Sequence, residues 1–397
     1  MESLRMGALG VSAAARLAAD ALDPGRLPYK ADHVMRPEIL SRLINEGSLG
    51  VLRGPVELSA VEQQAVPSVS SNCQNLVLTV EQAEDVGLPR SLFVKVPMTS
   101  ALTRWFFSII LSWRLESEFF RHVARDLPLR TPVTYATAWR GGRFYLIQEN
   151  LREDPAVRLF TNLDMPAGPE LVTVHRVLDT FARLHALHYG LPAADRAAIL
   201  PLDYHPFLSP RLGVVSRSLN LMALAPCMRN CPGAIPSPIE GSYRRTIDNW
   251  QALLDHWFEG PLSLLHGDSH LGNVFISGES MGLLDWQAAH WGKGIRDVQY
   301  FLINALPAQT LAAHEQDLVR YYVERRAVHG QAIDGEQAWQ EYRSFTFHTL
   351  MTIVVAIGFG ALNGEQDALM REILTRAVAA VERVDYPGWL DAFLARR

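Results

Sequence analysis

The pattern of apolar and polar positions divides the chain into a strand-rich first part and a helix-rich second part. Apolar residues spaced three and four apart predict helices over 36–50 and 102–125. Alternating or continuously apolar runs of strand length lie between these helices: VELSAVEQQAV, QNLVLTVEQ and SLFVKVPM. After the second helix, PVTYATAWRGGRFYLIQENL predicts two strands joined by a Gly-Gly turn.

From about residue 170 the pattern becomes mostly helical. VHRVLDTFARLHALHY and YRRTIDNWQALLDHWF each carry an apolar stripe at helical spacing. The order of elements predicts an α+β fold, with a small antiparallel sheet in the N-terminal lobe and a larger, mostly helical C-terminal lobe. The predicted division is an N-terminal extension over 1–35, an N-lobe over 36–151 and a C-lobe over 152–397.

Composition and charge limit the binding partners and the cellular compartment that we expect. The chain has 37 Lys and Arg against 42 Asp and Glu, a net charge of −5, which gives no electrostatic case for binding nucleic acid or an anionic membrane. Three cysteines form neither a disulfide framework nor a zinc pattern, so we expect a cytoplasmic location. The longest apolar run, LMTIVVAIGFGAL, is too short to span a bilayer and predicts a buried helix.

The segment LLHGDSHLGNVFISGESMGLLDWQ (264–287) concentrates polar residues between short apolar runs. Asp268 precedes Asn273 by five positions, and Asp285 follows twelve positions later. Two strands joined by the loop FISGES would bring Asp285 back beside the 268–273 loop. One amide and one carboxylate there would suit Mg²⁺, which prefers few protein oxygens together with phosphate oxygens and water.

An Asp in a Gly-containing turn is often only a turn former. Here its spacing to an Asn and to a second Asp on a hairpin matches the kinase pattern, which favours a phosphoryl-transfer site. Asp268 is then the candidate base, Asn273 and Asp285 the candidate metal ligands. His266 and His270 are expected to support the loop, and His270 is favoured as a loop-packing residue over a metal ligand.

The segment resembles the aminoglycoside phosphotransferase and choline kinase superfamily, whose catalytic loop reads H-G-D-x-x-x-x-N. The wider phrase HGDSHLGNVFI…GLLDWQAAHWGKGIRDVQYFL most resembles its ecdysteroid-kinase-like (CHK kinase-like) branch and bacterial relatives. The resemblance spans about 36–380 and implies a two-lobed protein-kinase-like fold. It also implies that Asp268 is the catalytic base, that Asn273 and Asp285 bind Mg²⁺, and that Asp297 is structural.

A kinase-type site also needs a strand lysine for the nucleotide phosphates and a helix glutamate to hold that lysine. Lys95 in RSLFVKVPM is the candidate, although most strand lysines simply face solvent. Alternation places it on the same strand face as Phe93. Glu116 matches the family pattern as its partner, and Glu118 is the alternative.

The resemblance implies an adenine hinge at FYLIQENL, with backbone contacts from Gln148 and Asn150 and with Glu149 as a hinge residue. The phosphate-covering segment VPSVSSNCQN contains no glycine. Its candidate phosphate contacts are Ser70, Ser71 and Asn72. Without glycine the backbone approaches phosphate less freely. ATP is the expected nucleotide, and the preference between ATP and GTP stays open.

The acceptor is expected to be a small neutral or apolar alcohol, because acidic residues only slightly outnumber basic ones over 298–397. YRSFTFHTLMTIVVAIGFGA, with His348 and Thr349, either lines that acceptor pocket or belongs to the core. The favoured function is an ATP- and Mg²⁺-dependent small-molecule O-phosphotransferase. The alternative is a nucleotide-binding pseudokinase that acts as a regulatory module. The sequence leaves the oligomeric state open.

Overall fold

The structure is a computed structural model that describes residues 2–22, 27–28, 30–64, 73–200, 212–360 and 365–396 of the 397-residue chain. The chain folds into two compact units. Unit 1 comprises Met1–Arg158, Ile199–Pro201 and Leu284–Ala288, and unit 2 comprises Leu159–Ala198, Leu202–Leu283 and Ala289–Arg397. The predicted domain boundaries stay a prediction.

Unit 1 is built on an antiparallel sheet with helices around it. Its helices are α1 (Glu2–Ala21), α2 (Ala31–Val34), α3 (Pro37–Glu46), α4 (Ala101–Ile110) and α5 (Ser112–His122). Its strands are β1 (Leu58–Gln64), β2 (Cys73–Gln82), β3 (Ser91–Pro97), β4 (Thr134–Arg140) and β5 (Arg143–Glu149), in the sheet order β1-β2-β3-β5-β4. A short strand, β6 (Val157–Leu159), lies where unit 1 passes into unit 2.

The central strand β3 separates the two faces of this sheet. Leu92, Val94 and Val96 belong to an apolar core that also contains Leu40 and Leu43 of α3. Side chains alternate between the faces of a strand, so Phe93 and Lys95 belong to the opposite face. The predicted alternation in β3 therefore holds, and it directs the Lys95 side chain away from the α3 core.

The predicted helix over 102–125 is two helices, because the chain reverses its local handedness at Leu111. Leu111 has a φ of 57°, a left-handed conformation that an α-helix cannot continue through. Its N–H still caps α4 by donating to the carbonyl of Phe107. The break makes α5 a separate element with its own direction.

Helix α1 packs within unit 1 through specific polar contacts. The Asp20 carboxylate accepts the backbone N–H of Gly142 at 2.6 Å, and Arg143 donates to the Asp20 carbonyl at 2.8 Å. Trp105 of α4 donates its indole N–H to the carbonyl of Gly10. These contacts attach α1 to the β4–β5 turn and to α4.

Unit 2 is mostly helical, as predicted. Its helices are α6 (Leu171–Leu187), α7 (Ala193–Ile199), α8 (Gly213–Asn230), α9 (Ser237–Asp248), α10 (Trp250–Phe258), α11 (Ile295–Ala305), α12 (Ala308–Val328), α13 (Gly335–Phe359), α14 (Glu365–Arg383) and α15 (Tyr386–Ala395). Its short strands are β7 (Ser263–Leu265), β8 (Val274–Ser277), β9 (Ser280–Leu283) and β10 (His290–Gly292). The predicted α+β class, with an antiparallel sheet first and helices afterwards, is confirmed.

The most apolar stretch of the chain is core, as expected. Leu350, Val354 and Ile357 of α13 are fully buried, whereas residues 361–362 of the same run lie outside the described residues. None of the helices in the described part of the chain has the length and apolar character that crossing a bilayer requires.

Candidate active site

Lys95 lies between two carboxylates in unit 1. Its ammonium is 2.7 Å from a Glu116 oxygen on α5 and 3.0 Å from Oδ1 of Asp285. The Lys95 side chain is buried, and burial alone would lower its pKa, but Asp285 and Glu116 together raise the pKa above its ordinary value. The lysine therefore stays charged and fixed in position.

Helix α5 presents its two glutamates to different partners. Glu116 is buried, and burial raises its pKa above the ordinary range even though Lys95 acts in the opposite direction. Glu118 accepts a hydrogen bond from the Trp139 indole and lies near His122. The structure thus pairs Lys95 with Glu116 and gives Glu118 a separate role on the other side of the helix.

Asp285 adopts an uncommon backbone conformation. Its φ is 64°, in the left-handed region that non-glycine residues rarely occupy. The next residue, Trp286, is fully buried and stacks on Phe119 of α5, with ring centroids 4.1 Å apart. The buried tryptophan anchors the chain immediately after the turn and so supports the conformation that presents Asp285 to Lys95.

In unit 2, Asp297 organises the 266–273 loop. Its carboxylate accepts the backbone N–H groups of His266 at 2.7 Å and of Gly267 at 3.0 Å. Ser269 adds a hydroxyl that donates to the Asp297 carbonyl. Burial alone would raise the pKa of Asp297, but the hydrogen bond from His185 and the charge of Arg296 hold that pKa far below its usual range.

The loop places Asp268 and Asn273 together. The Asn273 amide nitrogen donates to the Asp268 carbonyl at 2.8 Å, and the Asp268 N–H donates to Nδ1 of buried His266 at 3.3 Å. His270 has a ring nitrogen 4.0 Å from the Asp268 carboxylate. Gly267 has a φ of 87°, so the turn before Asp268 needs glycine's conformational freedom.

The predicted hairpin after the loop is present, but its connection is shorter than the predicted FISGES, because β8 continues to Ser277 and β9 begins at Ser280. Val274 of β8 pairs with Leu283 of β9 in an antiparallel register. Asn273 directly precedes the first of these residues, and Asp285 follows the second by two positions. Because of this register, the chain enters β8 from Asn273 and leaves β9 toward Asp285 at the same end of the hairpin.

Three residues that the motif did not indicate complete the surroundings of Asp268. Tyr300 hydrogen-bonds the Asp268 carboxylate, and burial together with that negative charge raises the pKa of the tyrosine. Arg296 donates to the Gly267 carbonyl at 3.0 Å. His185 of α6 lies 3.3 Å from Asp297. His185 is 112 residues from Asp297 in sequence, so no local spacing could have identified it.

The remaining predicted residues have structural contacts. Gln148 donates to the Thr134 hydroxyl and Asn150 to the Ser91 hydroxyl, while Glu149 pairs with Arg130. The implied backbone contacts to adenine stay a prediction. The predicted phosphate contacts lie outside the described residues: Ser70, Ser71 and Asn72.

His348 and Thr349 are buried in α13. Nε2 of His348 lies 3.2 Å from an Arg296 nitrogen, and the Thr349 hydroxyl accepts from Gln299. Burial, followed by the charge of Arg296, lowers the pKa of His348 well below its usual value. Of the two readings of this helix, these contacts favour the core.

The residues predicted to bind magnesium have suitable donor atoms. The amide nitrogen of Asn273 donates to the Asp268 carbonyl, so the amide oxygen is the atom that would serve as a cation ligand. Asp285 gives one carboxylate oxygen to Lys95 and keeps a second. Hard oxygen donors of this kind are those that Mg²⁺ prefers, so the residues fit the ion.

Solved structures with a similar course of the chain include several kinases. A choline/ethanolamine kinase family protein from Mesorhizobium loti is 14% identical, with 91% of this chain and 97% of that one covered and a TM-score of 0.47. The choline kinase LicA from Streptococcus pneumoniae is 12% identical, with coverages of 83% and 94% and a TM-score of 0.46. Aminoglycoside 2'-phosphotransferase-IIIa, in its GDP complex, is 11% identical, with coverages of 84% and 94% and a TM-score of 0.46.

A search of curated proteins gives no match. A family model does match: the one described as the phosphotransferase enzyme family (APH) covers residues 111–343, which is more than half of the chain. The matched range contains Glu116, the 266–273 loop, Asp285 and Asp297. The chain therefore belongs to the phosphotransferase enzyme family.

Proposed function

We propose that the protein transfers the γ-phosphoryl group of ATP to a hydroxyl of a small molecule. The observation that carries this proposal is the position of Lys95, which contacts Glu116 of α5 and Asp285 from a distant part of the sequence at 2.7 and 3.0 Å. In kinases a strand lysine paired with a helix glutamate holds the nucleotide phosphates, and a following Asp holds the metal. The motif phrase over 264–302 supports placement in the ecdysteroid-kinase-like branch.

Each of the four polar residues of the site has one task in this proposal. Asp268 accepts the proton of the substrate hydroxyl, and its hydrogen bond with Tyr300 orients the carboxylate. Lys95 binds and orients the phosphates. Asn273 and Asp285 hold Mg²⁺, which when bound neutralises charge on the nucleotide phosphates.

The acceptor that we propose is a neutral, fairly apolar alcohol. Polycationic acceptors would call for a strongly acidic surface, whereas the last hundred residues carry only a slight acidic surplus. Neutral acceptors need no such surplus, since apolar contact and a few hydrogen bonds can hold them.

Substitution Asp268→Asn tests the catalytic assignment. Loss of the general base is expected to lower the rate of phosphoryl transfer by about 10²- to 10⁴-fold, while nucleotide affinity changes little. The measurement is transfer from labelled ATP, and in parallel GTP, with Mg²⁺ across a panel of sterols, macrolides, sugars, choline and aminoglycosides. Unfolding temperature with and without nucleotide serves as the control for folding and binding.

The panel also separates the enzyme from a regulatory pseudokinase. Transfer to a neutral alcohol that depends on Asp268 supports the proposal, and transfer confined to aminoglycosides would overturn the acceptor class. Nucleotide binding without transfer to any member, equal in wild type and variant, would favour the pseudokinase.

A further inference from the structure

The described residues that line one large cavity all belong to unit 2. Its volume is about 970 Å³, and its walls come from the start of α11, from α12 and α13, and from α15. Among the described residues, none of those that line it belongs to the 266–273 loop. A cavity of this size is large enough for a small organic ligand, since such sites typically measure about 300–1,000 Å³.

Arg326 of α12 is the buried cation in the wall of this cavity. One terminal nitrogen donates to the Tyr322 hydroxyl at 3.1 Å, and the guanidinium lies 4.8 Å from the centre of the Tyr189 ring. Nε and Nη2 are buried and have no hydrogen-bond partner within the part of the chain that the structure describes. Arg326 is only 1% exposed, and buried charged donors without partners are costly, so this arrangement indicates a ligand that accepts from them.

The other buried or partly buried charged groups of the cavity have partners within the protein, and Arg396 lies on its exposed rim. Lys293 is 3.0 Å from Glu341, and His256 is 2.9 Å from Glu259. Arg343 donates to the carbonyls of Val384 and Asp385. Three further carboxylates line the cavity: Asp334 caps α13, Glu336 accepts from Gln340, and Asp385 lies 3.6 Å from Arg343. Among the described residues that line the cavity, Arg326 is therefore the buried cation that keeps donors without an acceptor.

The start of α11 also borders the cavity, and the Asp297 carboxylate in its first turn offsets part of the helix dipole there. Gly294 and Ile295 line the cavity where α11 begins, and the N-terminal end of a helix dipole favours an anion. Lys293 precedes them and is itself largely buried. Trp389 and Phe393 supply aromatic surface on the α15 wall.

We propose that this cavity is a binding site for a small organic oxyanion, a phosphate or a carboxylate carried on an apolar or aromatic body. The anionic group accepts from Nε and Nη2 of Arg326 near the start of α11, and the body packs against the α15 aromatics. This assignment does not depend on the proposed catalytic function, because it uses none of the catalytic residues.

The site also has a direct connection to the 266–273 loop. Arg326 donates to the Tyr322 hydroxyl, which lies 2.9 Å from Nδ1 of His185. Nε2 of His185 lies 3.3 Å from the Asp297 carboxylate, which holds the loop. Burial lowers the pKa of His185, and a neutral ring with its proton on Nε2 satisfies both neighbours. An occupied site would therefore restrain the same buried chain of hydrogen bonds.

The test is titration calorimetry of the full chain with three probes of matched shape: phenyl phosphate, benzoate and neutral benzyl alcohol. Wild type is expected to bind one or both anions and to bind benzyl alcohol at least tenfold more weakly. Arg326→Met is expected to weaken anion binding at least tenfold, and Arg326→Lys to weaken it by less. The two anionic probes separate a phosphate site from a carboxylate site.

Two variants control for charge and for the nucleotide site. Arg396→Gln removes a charge from the exposed rim of the same cavity and should leave anion affinity within about twofold. Lys95→Met should also leave it unchanged, because Lys95 lies in unit 1. If the Arg326 variants fail to fold, Lys293→Met replaces them and should also weaken anion binding. No anion binding in wild type, unchanged affinity in folded Arg326→Met, or loss of binding in Lys95→Met would each overturn the proposal.

Discussion

At the scale of single residues, Lys95, Glu116 and Asp285 form a cluster of one cation and two carboxylates that is largely shielded from solvent. We call it the Lys95 cluster. Charges interact more strongly away from water, so the position of each group is held by the other two. Glu116 accepts from Lys95 inside the protein, whereas Glu118, two residues along the same helix, contacts Trp139 and His122. The two glutamates therefore form a natural comparison.

Glu116→Gln should lower kcat/KM for the nucleotide by about 10-fold, because the neutral amide keeps an oxygen for Lys95 but loses the ionic part of a charged hydrogen bond that contributes about 1.5–3 kcal/mol in all. Glu118→Gln keeps an oxygen for the Trp139 indole and should stay within about twofold of wild type. Steady-state phosphoryl transfer at several nucleotide concentrations measures both. Equal losses in the two variants would speak against a special role for Glu116.

At the scale of elements, α11 connects to the 266–273 loop through the first turn of the helix. Asp297 lies in that turn, where the helix dipole stabilises a negative charge, and its two oxygens accept from successive backbone N–H groups of the loop. The helix is buried along its whole length, so the loop is attached to a rigid element.

Asp297→Asn should lower the free energy of unfolding by about 3–5 kcal/mol, because the buried network loses its charge and an amide N–H₂ would face a backbone N–H. Asp317→Asn on α12 is the matched control, since Asp317 is exposed and pairs with exposed Arg320, and it should change stability by less than about 0.5 kcal/mol. Urea unfolding followed by circular dichroism gives both values. A loss below about 1 kcal/mol in Asp297→Asn would contradict the buried-network interpretation.

At the scale of the whole molecule, acid should destabilise the protein through its buried histidines. Burial lowers the pKa of His348 and of His185, so in the folded chain they stay neutral while the unfolded chain binds protons as pH falls through about 6.5. Each such histidine therefore reduces the free energy of unfolding as pH falls below that value. Glu116 acts with the opposite sign, because its raised pKa favours the folded state as pH falls from about 7.

A variant isolates the histidine effect from the glutamate effect. Between about pH 7.5 and 5.5, wild type should lose about 1.4 kcal/mol more than His348→Gln, which no longer has the ionisable ring. Glutamine can still accept from Arg296, so the variant keeps that contact. Urea unfolding at the two pH values measures the difference. If the free energy of unfolding changed equally with pH in wild type and variant, His348 would not be taking up a proton when the chain unfolds.

The sequence was informative wherever local pattern decides structure. Alternation in β3 indicated the face of Lys95, and the spacing of Asp268, Asn273 and Asp285 indicated a loop followed by a hairpin, which the register of β8 and β9 confirms. The break at Leu111 was not predicted, because the apolar spacing continues through it. Contacts made by tertiary packing left no local signal: His185, Arg296, Tyr300 and the whole Arg326 cavity.

The left-handed backbone of Asp285 has a consequence for how the residue can be replaced. Glycine normally destabilises a folded chain relative to alanine, but at a φ of 64° the order should reverse. Asp285→Ala is therefore expected to be less stable than Asp285→Gly by about 1 kcal/mol, with Asp285→Asn close to the glycine variant. All three lack the carboxylate and should lose phosphoryl transfer alike. Thermal unfolding compares the stabilities of the three variants, which depend on the backbone conformation at position 285. The transfer assay measures what loss of the carboxylate does to activity. One set of variants therefore separates the conformational role of this residue from its chemical role.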